Sequence, residues 1–353
     1  MIKKAKKGSV GTKANSKFVD SVKSLLTPLP DRARDIIERR YGLVGDQGDG
    51  MTLEAIGEIY GITRERVRQI ENFAIESIRK SKEYEKALAT FNTLEDYLVK
   101  HGGLAKEETI LDDLSTDAKS RNQISFLLAV CESFVRLKED DDFHHRWTVN
   151  VEESNYIHEA LQNLHKELEL EDLINESDFL NKFSEHLELN SLDRATDHNL
   201  KKWLGISKHV GANPLGEWGL ATSPSVRTRG IRDYAYLVLR KHGEPLHFAD
   251  VADQIEEMFD KSAHVATCHN ELIKDDRFVL VGRGLYALSE WGYTNGVVRD
   301  VIKDVLKKAG PLSKSDIMER VLKQRQVKEN TIYVNLQNPK YFHKTKEGKY
   351  QLA

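Results

Sequence analysis

Four polar side chains within six residues carry the clearest chemistry in this sequence. Arg64, Glu65, Arg68 and Gln69 lie at i, i+1, i+4 and i+5, so a helix would present them on one face. An arginine can bond guanine through two N–H groups, a glutamine can bond adenine in the same way, and a glutamate can accept from cytosine N4. The pattern is therefore compatible with a helix that reads base edges in a major groove. The alternative is an ordinary surface helix stabilised by neighbouring polar side chains.

The flanking residues predict the elements that would position this face. Thr52 and Thr63 are suitable N-caps, and Gly61 between them is a suitable C-cap, so we expect a helix of about eight residues, a tight turn and a long helix to about Lys80. An earlier helix is expected after Asp31, its predicted N-cap. The apolar positions at helical spacing are Val67, Ile70, Ala74 and Ile78 on the long helix, and Leu53, Ile56 and Ile59 on the short one. This arrangement predicts a helix-turn-helix.

Three stretches of this segment resemble region 4 of sigma factors of the primary type. They are residues 39–43 (RRYGL), 52–57 (TLEAIG) and 63–71 (TRERVRQIE), within a resemblance of about 55 residues. The resemblance implies binding to the promoter −35 element and docking on the flap of the RNA polymerase β subunit. It implies base reading on the long helix and phosphate contacts before it. The predicted DNA-contacting set is Arg32, Thr52, Leu53, Arg64, Glu65, Arg66, Arg68 and Gln69.

The same resemblance suggests a polymerase contact and one departure from the family. The apolar side of the first helices, with Ile36, Ile37 and Tyr41, is the expected flap-docking surface. Only about 28 residues precede Leu29, and they are rich in lysine, serine and glycine. We therefore do not expect a complete sigma factor of the usual layout, nor promoter melting by this chain alone.

The remainder of the sequence contains a repeated pattern of about 64 residues. Its spacing of an apolar residue, a glycine, an aromatic residue and a leucine occurs at Phe278–Leu288 and Phe342–Leu352, and again at Val210–Leu220. Each occurrence predicts a β-hairpin after a set of helices, which is the winged-helix plan. Residues 93–150 look like a degenerate copy whose wing is lengthened by an acidic insert.

One of these units resembles a known module. Residues 245–248 (PLHF), 276–279 (DRFV) and 286–291 (YALSEW) resemble the HARE-type winged-helix domain, which also forms the N-terminal part of the RNA polymerase delta subunit of some bacteria. The resemblance covers residues 231–291. It implies a winged-helix fold in a transcription or chromatin setting, and it implies no catalytic activity.

The predicted fold class is mainly α with small β-hairpin wings, in a multi-domain string of helix-turn-helix and winged-helix modules. The expected modules are a basic disordered tail (1–17), the region 4-like domain (18–81), a degenerate winged-helix module (82–150), a winged-helix-like module (151–222), the HARE-type domain (228–291) and a C-terminal winged helix (296–353). The net charge is +5 over residues 1–81, negative over 82–200 and +7 over 201–353. Basic ends around an acidic middle favour a polyanionic partner.

Several classes of protein are excluded or disfavoured by the composition. No apolar run approaches the roughly 18 residues of a membrane span, and the lysine-rich N-terminus lacks the apolar stretch of a secretory signal. Two distant cysteines, Cys131 and Cys268, do not form a disulfide framework, so we expect a cytoplasmic protein. Neither His144-His145 nor Cys268-His269 has the ligand set of a metal site, and we expect no metal, no cofactor, no small-molecule substrate and no enzymatic activity.

Three hypotheses about function follow. The first is a DNA-binding transcription factor that recognises −35-type duplex DNA and associates with the RNA polymerase core. The second is a delta-like accessory subunit of the polymerase that uses the region 4-like fold mainly for protein docking. The third is a targeting component of a DNA modification or restriction system, because HARE-type modules also occur there.

Overall fold

The computed structural model describes residues 11–44, 50–187, 194–293, 298–324 and 329–353, and the chain forms two compact units, Met1–Gly211 and Ala212–Ala353. The first unit contains α1 (Gly11–Leu26), α2 (Asp31–Tyr41), α3 (Leu53–Tyr60), α4 (Arg64–Arg79), α5 (Lys82–Lys100), β1 (Leu104–Lys106), α6 (Glu107–Leu114), α7 (Ala118–Val130), β2 (Val135–Leu137), β3 (Arg146–Thr148), α8 (Val151–Glu167), α9 (Glu176–His186) and α10 (Asp197–Leu204). Strand β4 (Val210–Ala212) lies at the border.

The second unit consists of two successive helical modules that each end in a hairpin. Its elements are β5 (Trp218–Leu220), α11 (Ile231–His242), β6 (Leu246–His247), α12 (Phe248–Phe259), α13 (Val265–Lys274), β7 (Phe278–Leu280), β8 (Leu285–Leu288), α14 (Val298–Ala309), α15 (Lys314–Leu322), α16 (Glu329–Leu336), β9 (Phe342–Lys344) and β10 (Tyr350–Leu352). The hairpins β7–β8 and β9–β10 are antiparallel, as the repeated spacing predicts. The fold class predicted from the sequence is confirmed.

The caps of the helix-turn-helix explain where its helices begin and end. The hydroxyls of Thr52 and Thr63 each accept a hydrogen bond of 3.2 Å from the backbone N–H three residues later. Gly42 and Gly61 end α2 and α3 in the left-handed conformation, with φ near 61°, which glycine adopts without a steric cost. The prediction of Asp31 as an N-cap was wrong by one residue. Asp31 is the first helical residue, after Pro30, and its carboxylate still favours the positive end of the helix dipole.

Two segments far apart in sequence share one winged-helix topology. In the first unit β1 is hydrogen-bonded to β3 and β3 to β2, with α5 before β1 and α6 and α7 after it. In the second unit the order β6-β8-β7 repeats this plan, with α11 before β6 and α12 and α13 after it. The segment predicted as a degenerate module therefore has a complete three-stranded sheet.

The region 4-like helices and the following winged-helix module share one hydrophobic core. Helix α1 packs on α5 and α7, and buried side chains of α2 and the C-terminal half of α4 join the same cluster. Its members include Phe18, Leu25, Ile37, Ala74, Ile78, Phe91, Leu94, Leu98, Ile124, Phe126 and Leu127. The two modules predicted as 18–81 and 82–150 therefore fold against each other rather than as separate bodies.

The predicted N-terminal tail differs from the structure over part of its length. Helix α1 begins at Gly11, so residues 11–17 are helical where a disordered tail was predicted. The helix forms because its C-terminal half carries Phe18, Val22 and Leu25 at helical spacing, and all three are buried in the shared core. Residues 1–10 lie outside the described residues, and the other predicted module borders stay predictions.

Across the described ranges, no helix combines the length and the apolar character that crossing a bilayer requires.

The shared core predicts that a cavity in α5 weakens the helix-turn-helix as well. Leu94 is 1% exposed and Leu88, on the same helix, is 46% exposed. We expect Leu94→Ala to lower the free energy of unfolding by about 2–5 kcal/mol, because the removed methyl groups leave a cavity, whereas Leu88→Ala changes it by less than about 0.5 kcal/mol. Urea unfolding measures both. Hydrogen exchange should show faster exchange of α4 amides in Leu94→Ala, and unchanged α4 protection would contradict a shared core.

Candidate nucleic-acid interface

The turn between α3 and α4 is tight because two glycines allow it. A Cβ atom on Gly57 would lie 2.6 Å from the carbonyl oxygen of Ile62, which is closer than real contacts allow. The backbone N–H of Ile62 donates to the carbonyl oxygen of Gly57 at 2.9 Å, and Gly61 takes the left-handed conformation beside it. Glycine at 57 thus permits the close approach of α4 to α3.

The buried face of α4 fixes which residues face solvent. Val67 is fully buried in a small cluster with Ile36 and Ile56, which joins α2, α3 and α4. Arg64, Glu65, Arg68 and Gln69 all lie on the exposed side of the first two turns of α4. More than half of the Arg64, Glu65 and Arg68 side chains is exposed, at 69%, 57% and 52%. The structure therefore brings the four predicted base-reading residues together on one open surface.

The charged groups on this surface are paired with neighbours. Arg68 donates from Nε and Nη2 to the two carboxylate oxygens of Glu65 at 2.8 and 2.6 Å. The Arg64 guanidinium lies 2.9 Å from a carboxylate oxygen of Glu54, and Arg66 donates to the side-chain oxygen of Gln69 at 3.1 Å. The hydrogen bonds from Arg68 hold the pKa of Glu65 below its ordinary value, and those to Glu65 raise the pKa of Arg68. The carboxylate therefore stays charged and orients the arginine.

The predicted phosphate-contacting residues lie before the recognition surface in the sequence. Thr52 is exposed, and because its oxygen accepts from the N–H of Ala55, its hydroxyl proton is left for a second partner. Leu53 packs its side chain against the cluster around Val67, so only its backbone N–H could serve a phosphate. Arg32 is exposed and its guanidinium lies 5.4 Å from the centre of the Tyr60 ring.

A polar network that the sequence analysis did not identify joins α2 to the segments that follow it. The carboxylate of Asp35 accepts from Arg39 at 2.7 Å and from the hydroxyl of Tyr60. Both bonds lower the pKa of Asp35, that from Arg39 most, and the bond to Asp35 raises the pKa of Tyr60. Arg40 donates to the carbonyl oxygen of Met51 at 2.9 Å, which ties the end of α2 to the start of α3. The i, i+4 spacing of Asp35 and Arg39 was the only signal in the sequence.

The expected flap-docking surface is not open. Ile36 and Ile37 are fully buried, and the Tyr41 ring packs edge-on against Phe126 of α7 with 5.3 Å between ring centres. The side-chain amide of Asn122, also on α7, donates to the carbonyl oxygen of Gly42 at 2.9 Å. Ile36, Ile37 and Tyr41 therefore do not form an exposed apolar surface, because α3 and α4 cover Ile36 while Ile37 and Tyr41 pack into the core that includes α7.

Other residues considered in the sequence have local structural partners. His145 accepts from the backbone N–H of Glu139, and Asp142 bonds His209, so the acidic insert is tied to neighbouring groups. Trp147 is 4% exposed and packs in the shared core. Arg283 is exposed between β7 and β8, whereas Arg277 is held by two carboxylates.

The first unit thus contains a helix-turn-helix of the class that binds DNA, and the second contains a winged-helix module. Residues 25–80 match the family Sigma-70, region 4. Residues 231–291 match the HARE-HTH family, a helix-turn-helix domain named in part after ASXL and restriction endonucleases. Both resemblances inferred from the sequence are confirmed, and both families point to DNA as the partner.

Sigma factors are among the curated relatives, and the match concerns a small part of them. RNA polymerase sigma factor SigA of Microcystis aeruginosa is 45% identical over 60 residues, which is 17% of this chain and 14% of that protein. RNA polymerase sigma factor SigA of Nostoc sp. is 45% identical over 60 residues, which is 17% of this chain and 15% of that protein. RNA polymerase sigma factor RpoD of Helicobacter pylori is 43% identical over 70 residues, which is 20% of this chain and 10% of that protein. The chain therefore spans less than a sixth of the length of these relatives.

Loss of a cap should separate the structural role of Thr52 from its predicted role in binding. We expect Thr52→Ala to lower the free energy of unfolding by about 0.5–2 kcal/mol, because the N–H of Ala55 loses its acceptor, and Thr52→Ser to restore it. Thr93→Ala, on an exposed position inside α5, is the control. Thermal unfolding measures stability, and DNA binding is compared at a temperature at which every variant is fully folded. Equal stability of Thr52→Ala and the wild type would contradict the capping role.

Proposed function

We propose that this protein is a DNA-binding transcription factor that recognises −35-type promoter duplexes and associates with RNA polymerase. One observation carries the proposal. Arg64, Glu65, Arg68 and Gln69 are exposed together at the start of a capped second helix whose opposite face is buried. The family match over residues 25–80 supports the same interpretation. No catalytic role is part of the proposal.

The geometry supports a reading mechanism in which α4 enters the major groove with its N-terminal turns. Recognition helices of this class contact base edges with their first residues. The pairing of Glu65 with Arg68 orients the guanidinium before DNA arrives. Because the pair is exposed, replacing the contact with Glu65 by a contact with a base costs little free energy. Arg68 can then bond guanine through two N–H groups, while Glu65 is placed to accept from a neighbouring cytosine.

Phosphate contacts would supply affinity and register. Arg32, the Thr52 hydroxyl, the Leu53 backbone N–H and Arg66 lie on or before the recognition surface, and each can donate to a phosphate oxygen. Neutralising phosphates releases counterions, so binding should weaken as salt rises. The acidic stretch between residues 82 and 200 repels a polyanion and is better suited to protein contacts.

Association with polymerase is supported by the relatives, each of which is named as an RNA polymerase sigma factor. Because the apolar side of α2 is buried against α3, α4 and α7, the contact would use another surface of the domain. The large apolar side chains exposed on α3 and α4 are Ile59 and Phe73, at 52% and 58%. We place the polymerase contact at these two exposed side chains.

A second candidate is an accessory subunit of the polymerase that docks through this fold without reading bases. The mutual pairing of Glu65 with Arg68 and of Arg66 with Gln69 favours it, because these side chains already satisfy one another in the free protein. A targeting role in a DNA modification or restriction system is a third candidate, favoured by the name of the family matched at residues 231–291.

Base reading by Arg68 predicts a loss of sequence discrimination rather than of general affinity. We expect Arg68→Ala to reduce the preference for the best duplex over a scrambled one by roughly 5- to 150-fold, the equivalent of one bidentate contact. Arg121→Ala, which breaks another exposed ion pair in the same unit, should leave this preference unchanged. Fluorescence anisotropy with both duplexes, at several salt concentrations, measures it. An equal loss on both duplexes would show that Arg68 contacts only the backbone.

Polymerase association predicts a separation between docking and DNA reading. The full chain should retain native RNA polymerase in a pull-down, and the double variant Arg64→Glu/Arg68→Glu should still retain it while losing enrichment at promoters. We expect Gln69→Ala to weaken promoter enrichment in the same direction. Polymerase binding with promoter enrichment unaffected by any of these variants would favour the accessory subunit. Failure to retain polymerase would contradict both candidates.

A further inference from the structure

A cavity of about 510 Å³ opens beside the N-terminal end of α11, within the second unit. Four arginines line it: Arg227, Arg229, Arg232 and Arg277. Two carboxylates, Asp233 and Asp275, also line it. None of these residues is part of the DNA-contacting set predicted on α4 and its approach.

Both carboxylates of the cavity are hydrogen-bonded by one arginine. Arg277 donates from Nη2 to Asp233 at 2.9 Å and to Asp275 at 2.7 Å, and from Nε to Asp275 at 3.0 Å. Asp233 also accepts from the backbone N–H groups of Arg229 and Gly230 at 3.0 and 3.1 Å. The helix start is therefore capped from within the chain, and its N–H groups are not what attracts an anion here.

The other three arginines have little or no compensation. Arg227 and Arg229 are exposed, and within the described ranges their side chains have no bonding partner; Arg232 is paired only loosely, 3.7 Å from Glu271. The Nη1 group of Arg277 is shielded from solvent and, among the described residues, has no hydrogen-bond acceptor. A buried donor without an acceptor is unusual in proteins. The cavity thus has excess positive charge, four guanidinium groups against two carboxylates. The shielded Nη1 group of Arg277 is not counted among the donors that a ligand would meet there.

The arginines are held by an ordered backbone. The carbonyl oxygen of Ser223 accepts from the N–H groups of Val226 and Arg227 at 3.1 and 2.9 Å, and Ser223 and Val226 are both buried. The Arg277 guanidinium, which also lines the cavity, lies 5.3 Å from the centre of the Tyr236 ring. These contacts order the backbone that carries Arg227 and the guanidinium of Arg277 before any ligand arrives. An anion would therefore order the side chains of Arg227 and Arg229 without having to order a free loop.

We propose that this cavity binds a phosphoryl group. A guanidinium presents N–H donors in a planar fork that matches two phosphate oxygens, and several arginines around one space favour a group with more than one negative charge. The volume falls within the roughly 300–1,000 Å³ typical of small-ligand sites. The phosphoryl group belongs either to a phosphorylated small molecule or to the backbone of a bound nucleic acid, and both sources offer the same oxygens.

The test uses the full chain with two probes, inorganic pyrophosphate and a duplex of random sequence about three helical turns long. The test variant is Arg227→Gln/Arg229→Gln, which removes two exposed charges and no contact that holds the fold. Lys241→Gln/Arg320→Gln removes two exposed charges of the same unit outside the cavity and is the matched control. Arg277 is left intact because its loss would leave Asp233 and Asp275 without their partner. Calorimetry measures pyrophosphate binding, and anisotropy measures duplex binding against salt.

We expect the test variant to lose at least tenfold in affinity for one probe while the control stays within twofold of the wild type. Loss of pyrophosphate binding identifies a small phosphorylated ligand. Loss confined to the duplex, with the slope of log affinity against log salt reduced by about one to two, identifies backbone phosphates. Equal losses in test and control variants, or no loss with either probe, would overturn the proposal.

This outcome is independent of the function proposed for α4. The random duplex contains no preferred site, and the cavity variants leave Arg68 and its neighbours intact. A cavity that binds no phosphoryl group would leave the sequence preference of the recognition helix unchanged. Conversely, loss of the proposed base reading would leave pyrophosphate binding in place.

Discussion

Helix α4 belongs to two hydrophobic cores at once, and the arrangement of the first unit depends on this. Near its start Val67 packs with Ile36 and Ile56 in the helix-turn-helix, and near its end Ala74 and Ile78 are buried in the core shared with α5 and α7. Ile70, between them, packs against both clusters. A helix anchored along its whole length on one side can present its opposite face only to solvent, which is where the polar candidates lie.

This double anchoring also changes what the region 4-like domain can offer a partner. The side of α2 that the resemblance marked for docking is occupied by α7, a helix from the next module. Burying Ile37 and Tyr41 there stabilises the joint between the modules, since apolar area is removed from water on both. The consequence is that this surface cannot also bind another protein. The same few side chains thus decide between a rigid joint within the chain and an open docking surface.

The charged groups of the two units are used in different ways. On α4, Arg64 and Arg68 form ion pairs with Glu54 and Glu65, and Arg66 donates a hydrogen bond to Gln69. All of these contacts are exposed, where water keeps them weak. In the second unit Arg277 contacts two carboxylates and two aromatic rings. Burial acts to raise the pKa of Asp275, but the hydrogen bonds from Arg277 lower that pKa below its ordinary value. The exposed pairs on α4 can break when a ligand binds. Arg277, in contrast, is a fixed part of the wall of a cavity that three further arginines line.

Local patterns in the sequence were enough to define the helix-turn-helix elements and the recognition surface. The caps at Thr52 and Thr63, the glycines that end α2 and α3, and the hairpin glycines are signals read within a few residues, so their positions followed from local chemistry. The exposed face of α4 followed from helical spacing.

Which segments lie against one another was settled by the tertiary fold. It made residues 11–17 helical, because Phe18 and the apolar residues after it are buried by α5 and α7. It closed the apolar side of α2, and it brought Arg227, Arg229, Arg232 and Arg277 around one cavity although 50 positions separate the first from the last. Contacts between distant segments leave no periodic signal in either segment alone, which is the physical reason that spacing and composition did not predict them.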